Sequence, residues 1–399
     1  ANIVFSNISC SLCFSKFKRD LFSLSGSHIV CPFGSTVTGD MYFVLHIKKR
    51  CEYTTLFYIR QLCVPFMLKL NMENNIQFGT SFSPEYSEYI GGKSPLELLK
   101  VIYEELGIKD IRFGIRWNMV EKEKKISLDY YSKYLDYLLK NDCKVCLNIG
   151  PIKVFRWPEQ HIPSYIQDVD SKELTSKSDL AKYSYDYLFD LLKLLDREYG
   201  SRLNGVTFQL ENEPFFKFGH IPMVMSNEYI LELTKIFHNV RPNSKLMFNS
   251  AGRKNLKQIV SLFYSLRSNL GIEGKSLILG FNYYYKVPGM LPLPRKTDPI
   301  KYGNPLNMSI KRLHRERKRF GFGLEISEAQ FEPWGIVKSP GNSVEDFEYL
   351  LKNCNTFFPK DYPYKLVRLW GSEELAIKIL NKNTSEVHDK LIQSIQVIA

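Results

Sequence analysis

The sequence predicts an α/β protein that folds as a (β/α)8 TIM barrel over residues 76–399, with an N-terminal extension of uncertain structure over residues 1–75. In the larger part, eight short apolar segments alternate strictly with eight longer amphipathic segments. Such alternation forces parallel strands joined by right-handed crossovers, and eight units can close the sheet on itself. No Gly-rich phosphate loop follows the first strand, which disfavours the alternative, a doubly wound open sheet.

The predicted strands are short, mostly apolar runs bounded by turn residues. The first ends before Ser83-Pro84 and the third ends at Gly150-Pro151, where the apolar pattern stops. In chain order the predicted strands are Ile76–Ser83, Asp110–Trp117, Lys144–Ile149, Gly205–Leu210, Lys245–Asn249, Ser276–Tyr283, Gly321–Ser327 and Leu366–Trp370.

The predicted helices repeat apolar residues at the spacing of one helical face. Pro95 suits the first turn of the first helix, which Gly107 ends, and Ser385 is a suitable N-cap for the last helix. In chain order the predicted helices are one that opens at Ser94-Pro95, then Leu128–Lys140, Leu180–Tyr199, Asn227–Val240, Leu256–Ser268, Ser309–Arg319, Ser343–Lys352 and one within Glu386–Val397.

Residues 1–75 differ from the rest because neither helical nor strand periodicity is sustained there. Cys10 and Cys13 form a C-x-x-C pair, but no second pair follows at the spacing of a zinc site. Three interpretations are open: a targeting or anchoring segment, a small cysteine-containing module, and a poorly structured extension before a functional chain that begins near Met67 or Met72. We favour the third, so residues 76–399 are predicted to be the catalytic barrel.

The composition is that of a globular protein: of 399 residues, 44% are hydrophobic and 24% are charged. No uncharged apolar run reaches the length of about 18 residues that indicates a membrane-spanning helix. The densest part of the +12 net charge, at 311–319, has the spacing of one solvated helix face. We therefore expect no nucleic-acid partner and no membrane span, and the oligomeric state stays open. The eight cysteines favour a cytoplasmic protein with reduced thiols, and secretion stays an open alternative.

The carboxyl ends of the strands are where a barrel of this kind holds its active site. His, Cys and Lys are absent from those positions, which disfavours a metal centre, a thiol nucleophile and a Schiff-base lysine. No metal or cofactor is therefore expected. Two glutamates remain on opposite sides of the predicted barrel, Glu213 and Glu328, among Arg, Asn, Tyr and Trp residues. Paired carboxyl groups surrounded by amides and aromatic rings are typical of glycosidic bond cleavage.

Several motifs resemble those of the retaining glycoside hydrolases of clan A, in particular the β-galactosidase and cellulase-like families. Residues 209–214 read Gln-Leu-Glu-Asn-Glu-Pro, which is similar to the strand-four motif whose Asn-Glu-Pro carries the acid/base. Glu328, in Ser-Glu-Ala-Gln-Phe-Glu-Pro-Trp, resembles the strand-seven nucleophile. Arg112, in Ile-Arg-Phe-Gly-Ile-Arg-Trp, is similar to the strand-two arginine that contacts this nucleophile. The resemblance covers residues 76–375 in chain order, whereas residues 1–75 match nothing in the clan.

The resemblance implies catalytic roles for two residues and makes the neighbouring strand ends candidate sugar contacts. Glu213 would be the general acid/base, and Glu328 would be the nucleophile. Asn212 is expected to bind the sugar 2-hydroxyl, a contact that strengthens in the transition state. The candidate substrate-binding residues are Arg112, Asn148, Asn212, Tyr283 and Trp370.

Other residues compete for the same roles. Glu211 shares the strand parity of Glu213, and we expect it to form a salt bridge inside the barrel, with an arginine as one candidate partner. The remaining rivals are Glu325, expected deeper in the barrel, and Glu332, further along the loop, for the role of Glu328, and Tyr284 and Tyr285 for the role of Tyr283.

These assignments predict a retaining β-glycosidase that hydrolyses a β-linked glycoside or oligosaccharide by double displacement. Glu213 must stay protonated near neutral pH, so burial or the charge of Glu328 should raise its pKa. Arg112 would favour the ionised form of Glu328. The alternative is a non-catalytic barrel that binds carbohydrate. The sugar, the linkage and the choice between exo and endo action depend on loop geometry, which the sequence does not give.

Overall fold

The structure, a computed structural model, describes residues 76–91, 94–166, 173–251, 253–284, 309–332 and 343–398. It also describes five short strands, at 2–5, 29–30, 43–46, 286–287 and 295–296. The chain forms two compact units, Ala1–Leu70 and Asn71–Ala399. All the predicted site residues belong to the second unit.

The second unit contains a closed barrel of eight parallel strands. Each strand pairs with its neighbours in the chain, and the last pairs with the first. The predicted (β/α)8 TIM barrel is thus confirmed, and its closure leaves no sheet edge unpaired. The strands are β1 (Ile76–Phe82), β2 (Asp110–Gly114), β3 (Lys144–Asn148), β4 (Thr207–Gln209), β5 (Lys245–Ala251), β6 (Leu277–Tyr283), β7 (Gly323–Gln330) and β8 (Lys365–Trp370).

Helices connect these strands and surround the barrel. Four of them begin after a serine whose hydroxyl accepts a hydrogen bond from the backbone N–H three residues later, at Ser178, Ser226, Ser309 and Ser343. The helices are α1 (Pro84–Gly91), α2 (Pro95–Lys100), α3 (Trp117–Val120), α4 (Asp129–Lys140), α5 (Asp179–Tyr199), α6 (Asn227–Val240), α7 (Arg253–Leu270), α8 (Ile310–Phe320), α9 (Val344–Phe357), α10 (Ser372–Leu380) and α11 (Glu386–Ile398).

Shorter elements complete the described chain. A π-helical turn, Val101–Glu105, continues α2, and 3-10 turns occur at Gly200–Leu203 and Gly274–Ser276. Three pairs of two-residue strands lie outside the barrel: Glu121–Lys122 with Lys125–Ile126, Glu173–Leu174 with Val224–Met225, and Lys286–Val287 with Arg295–Lys296.

The predicted strands and helices are all present within a few residues, but the structure adds three short helices, α1, α3 and α10. The second strand was predicted to reach Trp117, yet it ends at Gly114 because Trp117 begins α3. The seventh strand was predicted to end at Ser327, and it continues to Gln330 through an irregular register.

The first unit contains a three-stranded sheet. Strand Asn2–Phe5 lies between Ile29–Val30, which is parallel to it, and Phe43–His46, which is antiparallel. Most of residues 1–75 lie outside the described residues. The expectation that this segment is poorly structured therefore stays a prediction.

The hydrophobic core lies between the strands and the helices. Phe113 of β2 packs edge-on against Tyr131 of α4, with ring centroids 5.8 Å apart, and Phe208 of β4 packs against Phe237 of α6 at 5.2 Å. Burying each such side chain contributes about 1.5–3 kcal/mol. Because side chains alternate along a strand, the neighbours of these outward residues face the barrel interior. Those neighbours include Arg112 and Gln209.

Helix α8 carries the basic cluster found in the sequence. Its apolar residues Leu313 and Phe320 are buried, whereas Lys311, Arg315 and Arg319 are exposed, as expected for a solvated face. Within the described ranges, no helix combines the length and the apolar character that crossing a bilayer requires.

Candidate active site

Arg112 organises the interior of the barrel at the carboxyl ends of the strands. It is fully buried and extends from β2. Its guanidinium group donates to Glu328 Oε1 at 2.6 Å, to Asn212 Oδ1 at 2.7 Å, to Gln209 Oε1 at 2.7 Å and to Ser81 Oγ at 3.2 Å. The fork of donors on one arginine thus fixes side chains from β1, β7 and the β4 end together. Three of the predicted site residues, Arg112, Asn212 and Glu328, are brought into direct contact.

Glu328 reaches this position through an irregularity in β7. Glu325 pairs with Gly280 of β6, and Glu328 pairs with Asn282, so three residues of β7 span two of β6. A β-bulge of this kind turns the following side chain to the other face of the strand. Glu325 and Glu328 therefore both face the interior, with Glu325 one layer deeper, as the sequence analysis expected.

A tyrosine after β6 contacts the second oxygen of Glu328. The hydroxyl of Tyr284 donates to Glu328 Oε2 at 2.8 Å. Tyr283 was the predicted site residue here, with Tyr284 and Tyr285 as rivals, but the Tyr283 side chain belongs to the hydrophobic core between the strands and the helices. Asn282 faces the barrel interior, so strand alternation places Tyr284, not Tyr283, on the same side.

Glu213 lies just past the end of β4 and is buried. Its Oε1 accepts a hydrogen bond from Asn282 Nδ2 at 2.9 Å, and its backbone N–H donates to Asn249 Oδ1 at 2.9 Å. It forms no ion pair with any described Lys or Arg, in contrast to Glu328. The φ angles of Glu213 (47°) and Glu211 (59°) lie in the left-handed region, which non-glycine residues rarely adopt. Such strain is typical of functional sites.

Glu211 has a structural role that differs from the expected salt bridge. Its carboxylate accepts hydrogen bonds from the backbone N–H groups of Ile152 and Lys153 and from the hydroxyl of Tyr229 on α6. No arginine pairs with it among the described residues. Gly150 permits this approach, because a Cβ at position 150 would lie 2.2 Å from the backbone nitrogen of Glu211. Glu211 thereby ties the loop after β3 to the strained turn that carries Glu213.

Lys153, in the loop after β3, also contacts the loop after β4. Its ammonium group donates to the carbonyl oxygens of Phe216 at 2.8 Å and of Met223 at 2.7 Å, and it lies 3.4 Å from that of Glu213. Burial lowers the pKa of Lys153. These contacts hold the loop after β4 against the loop after β3.

A third carboxyl group, Glu159, lies beside the predicted pair. Its Oε2 accepts a hydrogen bond from Asn212 Nδ2 at 2.9 Å. Glu159 could not be predicted from the sequence, because it stands in a loop nine residues past Gly150 and outside any motif. Asn249 and Asn282, by contrast, stand at the ends of β5 and β6, where strand position alone makes them candidates.

Burial shapes the electrostatics of these acids. Burial first, and then the charge of Glu328, raises the pKa of Glu213 to about 7. Burial, followed by the charges of Glu213 and Glu328, raises the pKa of Glu159 to about 8. Glu213 and Glu159 thus tend to hold a proton near neutral pH, whereas the guanidinium of Arg112 supplies a counter-charge to Glu328.

Trp370 lies at the rim, at the end of β8, and packs on loop residues. Its ring meets Phe155 edge-on at 5.9 Å and Tyr284 at 6.4 Å, and the Arg156 guanidinium lies 4.2 Å from its centroid. Arg156 is in turn paired with Glu332 at 2.6 Å. This network holds the Trp370 indole at the mouth of the barrel.

Asn148, another candidate contact, uses its amide within the protein. Its Nδ2 donates to the Gln209 carbonyl oxygen at 3.2 Å, and its Oδ1 accepts from the Phe155 N–H at 3.3 Å. It therefore braces β3 and β4 next to the site. In the part of the chain that the structure describes, no group of three His, Cys, Asp or Glu side chains is arranged to hold a metal ion.

No protein-family model and no curated protein matches the sequence. Solved structures match the fold. A family 5 xyloglucanase from Paenibacillus pabuli aligns with a TM-score of 0.50 and 14% identity over 82% of this chain and 99% of its own. A fungal β-1,4-galactanase aligns with a TM-score of 0.48 and 13% identity over 80% and 98% of the two chains. An endoxylanase from a sugarcane soil metagenome gives 0.46 and 15% over 75% and 86%. At these identities the likeness concerns the barrel fold alone.

Proposed function

We propose that this protein is a glycosidase that hydrolyses a β-linked glycoside with retention of configuration. The observation that supports the proposal is the contrast between two buried carboxyl groups at the same end of the barrel. Glu328 has an arginine as its partner, whereas Glu213 has an amide donor, a raised pKa and no ion pair with any described Lys or Arg. One carboxylate and one carboxylic acid facing a common space are what double displacement requires.

In the first step, the Glu328 carboxylate attacks the anomeric carbon while Glu213 donates its proton to the glycosidic oxygen. The bond from the anomeric carbon to that oxygen breaks, and the leaving group departs as an alcohol. Arg112 and Tyr284 hold the two oxygens of Glu328 in place, which orients the nucleophile before the substrate arrives.

In the second step, Glu213, now a carboxylate, removes a proton from water. The water oxygen attacks the anomeric carbon and displaces Glu328, so the configuration is retained and both carboxyl groups return to their starting states. Asn212, held by Arg112, would bind the 2-hydroxyl group, and Trp370 would stack on a sugar ring at the rim.

Hydrolysis of a panel of aryl β-glycosides by the full chain tests the proposal, with Glu213→Ala and Glu328→Ala as variants. We expect one or more sugars to be cleaved, and kcat/KM to fall by about ten-thousandfold in each variant. Azide should then give a β-glycosyl azide with Glu213→Ala and an α-glycosyl azide with Glu328→Ala, because only the former still forms the glycosyl-enzyme.

Glu232→Ala is the control, since Glu232 is a glutamate on α6 that pairs with the exposed Lys235, outside the barrel. It should retain most of the activity of the wild type. If no glycoside of the panel is cleaved, and the wild type, Glu213→Ala and Glu328→Ala bind a sugar with equal affinity, the protein is a carbohydrate-binding barrel instead.

A further inference from the structure

Glu159 stands on a tightly bonded hairpin that follows β3. The N–H of Val154 donates to the Glu159 carbonyl at 3.1 Å, and the N–H of Glu159 donates to the Arg156 carbonyl at 2.9 Å. Lys153 and Gln160 pair as an antiparallel bridge at the base of this hairpin. The φ angle of Glu159 is 72°, in the left-handed region. A backbone held by several bonds in an unfavourable conformation indicates that the position of this side chain matters.

The carboxyl group of Glu159 has one hydrogen-bond partner among the described residues, Asn212. No described Lys or Arg nitrogen lies within ion-pair distance of it, although it is only 7% exposed. Burying an acid without a cation costs free energy, and burial accordingly raises its pKa. An apolar residue would avoid this cost, so the acid at position 159 calls for a functional reason.

The hydrogen bonds of Asn212 supply that reason. Its Oδ1 accepts from Arg112 Nη2 at 2.7 Å and from Asn249 Nδ2 at 2.8 Å, which fixes which end of the amide is the oxygen. Its Nδ2 carries two hydrogens, and one is donated to Glu159. The second N–H has no acceptor among the described residues.

We propose that Glu159 is a positioning residue that holds one N–H of the Asn212 amide, so that the other N–H is directed at the 2-hydroxyl group of the bound sugar. This inference rests on the proposed function and adds a residue to it. Without an acceptor at position 159, the Asn212 amide would keep its oxygen contacts but lose the restraint on its nitrogen. The hydrogen bond from Asn212 to the sugar 2-hydroxyl group, which stabilises the transition state, would then be weaker.

A substrate cycle tests this. The kcat/KM of wild type and Glu159→Ala is measured on an aryl β-glycoside that the enzyme cleaves and on the matching 2-deoxy glycoside. We expect Glu159→Ala to lower kcat/KM by about ten- to a hundredfold on the parent substrate, since a donor is left unpaired. On the 2-deoxy substrate the kcat/KM values of the two proteins should agree within about threefold, because this substrate lacks the hydroxyl group that Asn212 would bind.

Two further variants separate positioning from structure. Glu159→Gln keeps an acceptor oxygen and should recover most of the activity on the parent substrate. Phe237→Leu disturbs the packing of α6 on Phe208 of β4, outside the barrel interior and away from Asn212. It should lower the activity on both substrates by the same factor.

An equal loss on both substrates with Glu159→Ala would overturn this inference and leave the proposed function intact. A wild type that is inactive on every aryl glycoside and binds a sugar no differently from Glu213→Ala and Glu328→Ala would overturn the proposed function, and this inference with it.

Discussion

Two buried arginines lie one above the other inside the barrel, and their surroundings differ. Arg112 belongs to β2 and contacts Glu328, whereas Arg368 belongs to β8 and contacts Asp110 and Glu325. Asp110 precedes Arg112 by two residues on β2, and Glu325 precedes Glu328 by three on β7. The same two strands therefore supply both clusters, at successive layers of the barrel.

The lower cluster, Asp110, Glu325 and Arg368, is closed on itself. The Arg368 Nε donates to Asp110 at 2.7 Å, and its Nη1 contacts Glu325. Gly79 leaves room for it, because a Cβ there would lie 2.8 Å from both Arg368 Cγ and the Asp110 carbonyl oxygen. This cluster links β2, β7 and β8 and offers nothing to a substrate.

In the upper cluster, two acids form no ion pair with any described Lys or Arg. Arg112 neutralises the charge of Glu328. Glu213 and Glu159 each have an amide donor as their partner instead, and the pKa of each is raised. A buried ion pair thus indicates a functional site where neighbouring acids form no ion pair of their own. The lower cluster is therefore expected to form a structural layer of the barrel, and the upper cluster a chemical layer.

The largest expected effect is on stability, in the lower cluster. Arg368→Met would leave two buried carboxyl groups without a partner and should lower the free energy of unfolding by about 3–5 kcal/mol. Urea denaturation measures the loss. Arg202→Ala, which breaks an exposed pair with Asp136, is the control and should cost less than about 1 kcal/mol. Equal losses in the two variants would contradict the structural role of the lower cluster.

The next effect is on activity, in the upper cluster. Arg112→Lys keeps a positive charge near Glu328 but cannot hold the four acceptors that the guanidinium bonds. We expect kcat/KM to fall by about a hundredfold, which corresponds to about 2.7 kcal/mol. The free energy of unfolding should fall by less than it does in Arg368→Met. A larger loss of stability in Arg112→Lys would contradict the division into a structural and a chemical layer.

The smallest effect depends on pH. Because the folded protein holds the Glu213 proton with a pKa of about 7, against 4.5 ordinarily, Glu213 makes folding less favourable as pH rises from 4.5 to about 7, and the loss levels off above that. Glu213→Gln removes this dependence. Its free energy of unfolding should match that of the wild type near pH 4 and exceed it by about 1–3 kcal/mol at pH 8.

Denaturation curves at pH 4, 6 and 8 check this prediction. Glu105→Gln is the control, since Glu105 is exposed at the end of the π-helical turn after α2. If the free energies of unfolding of Glu213→Gln and the wild type differ by the same amount at all three pH values, Glu213 titrates normally in the folded protein.

Much of the fold could be predicted because its signal is local. Strand and helix periodicity located all eight barrel strands, and α6 was predicted at its observed bounds, Asn227–Val240. The helices that were missed, α1, α3 and α10, are short. Helix α10 packs against α1 and α2, so contacts between distant segments stabilise it more than its own sequence does.

From the sequence alone we could predict the closed barrel, the placing of Glu213 and Glu328 at strand ends, and the presence of Arg112 and Asn212 beside them. This was possible because side chains alternate along every strand and because barrels of this kind hold their site at the carboxyl ends of the strands. The pairing of Arg112 with Glu328, expected from a resemblance, is present in the structure.

Which side chains complete the site depends on tertiary contacts between distant parts of the chain. The bulge in β7 turns Glu328 inward, positive φ angles direct Glu211 and Glu213, and a hairpin after β3 carries Glu159 to Asn212. Each of these departs from regular backbone geometry, and such departures persist because packing and hydrogen bonds from distant segments offset their cost. A local pattern therefore predicts where the site lies, and long-range contacts determine the direction of each group within it.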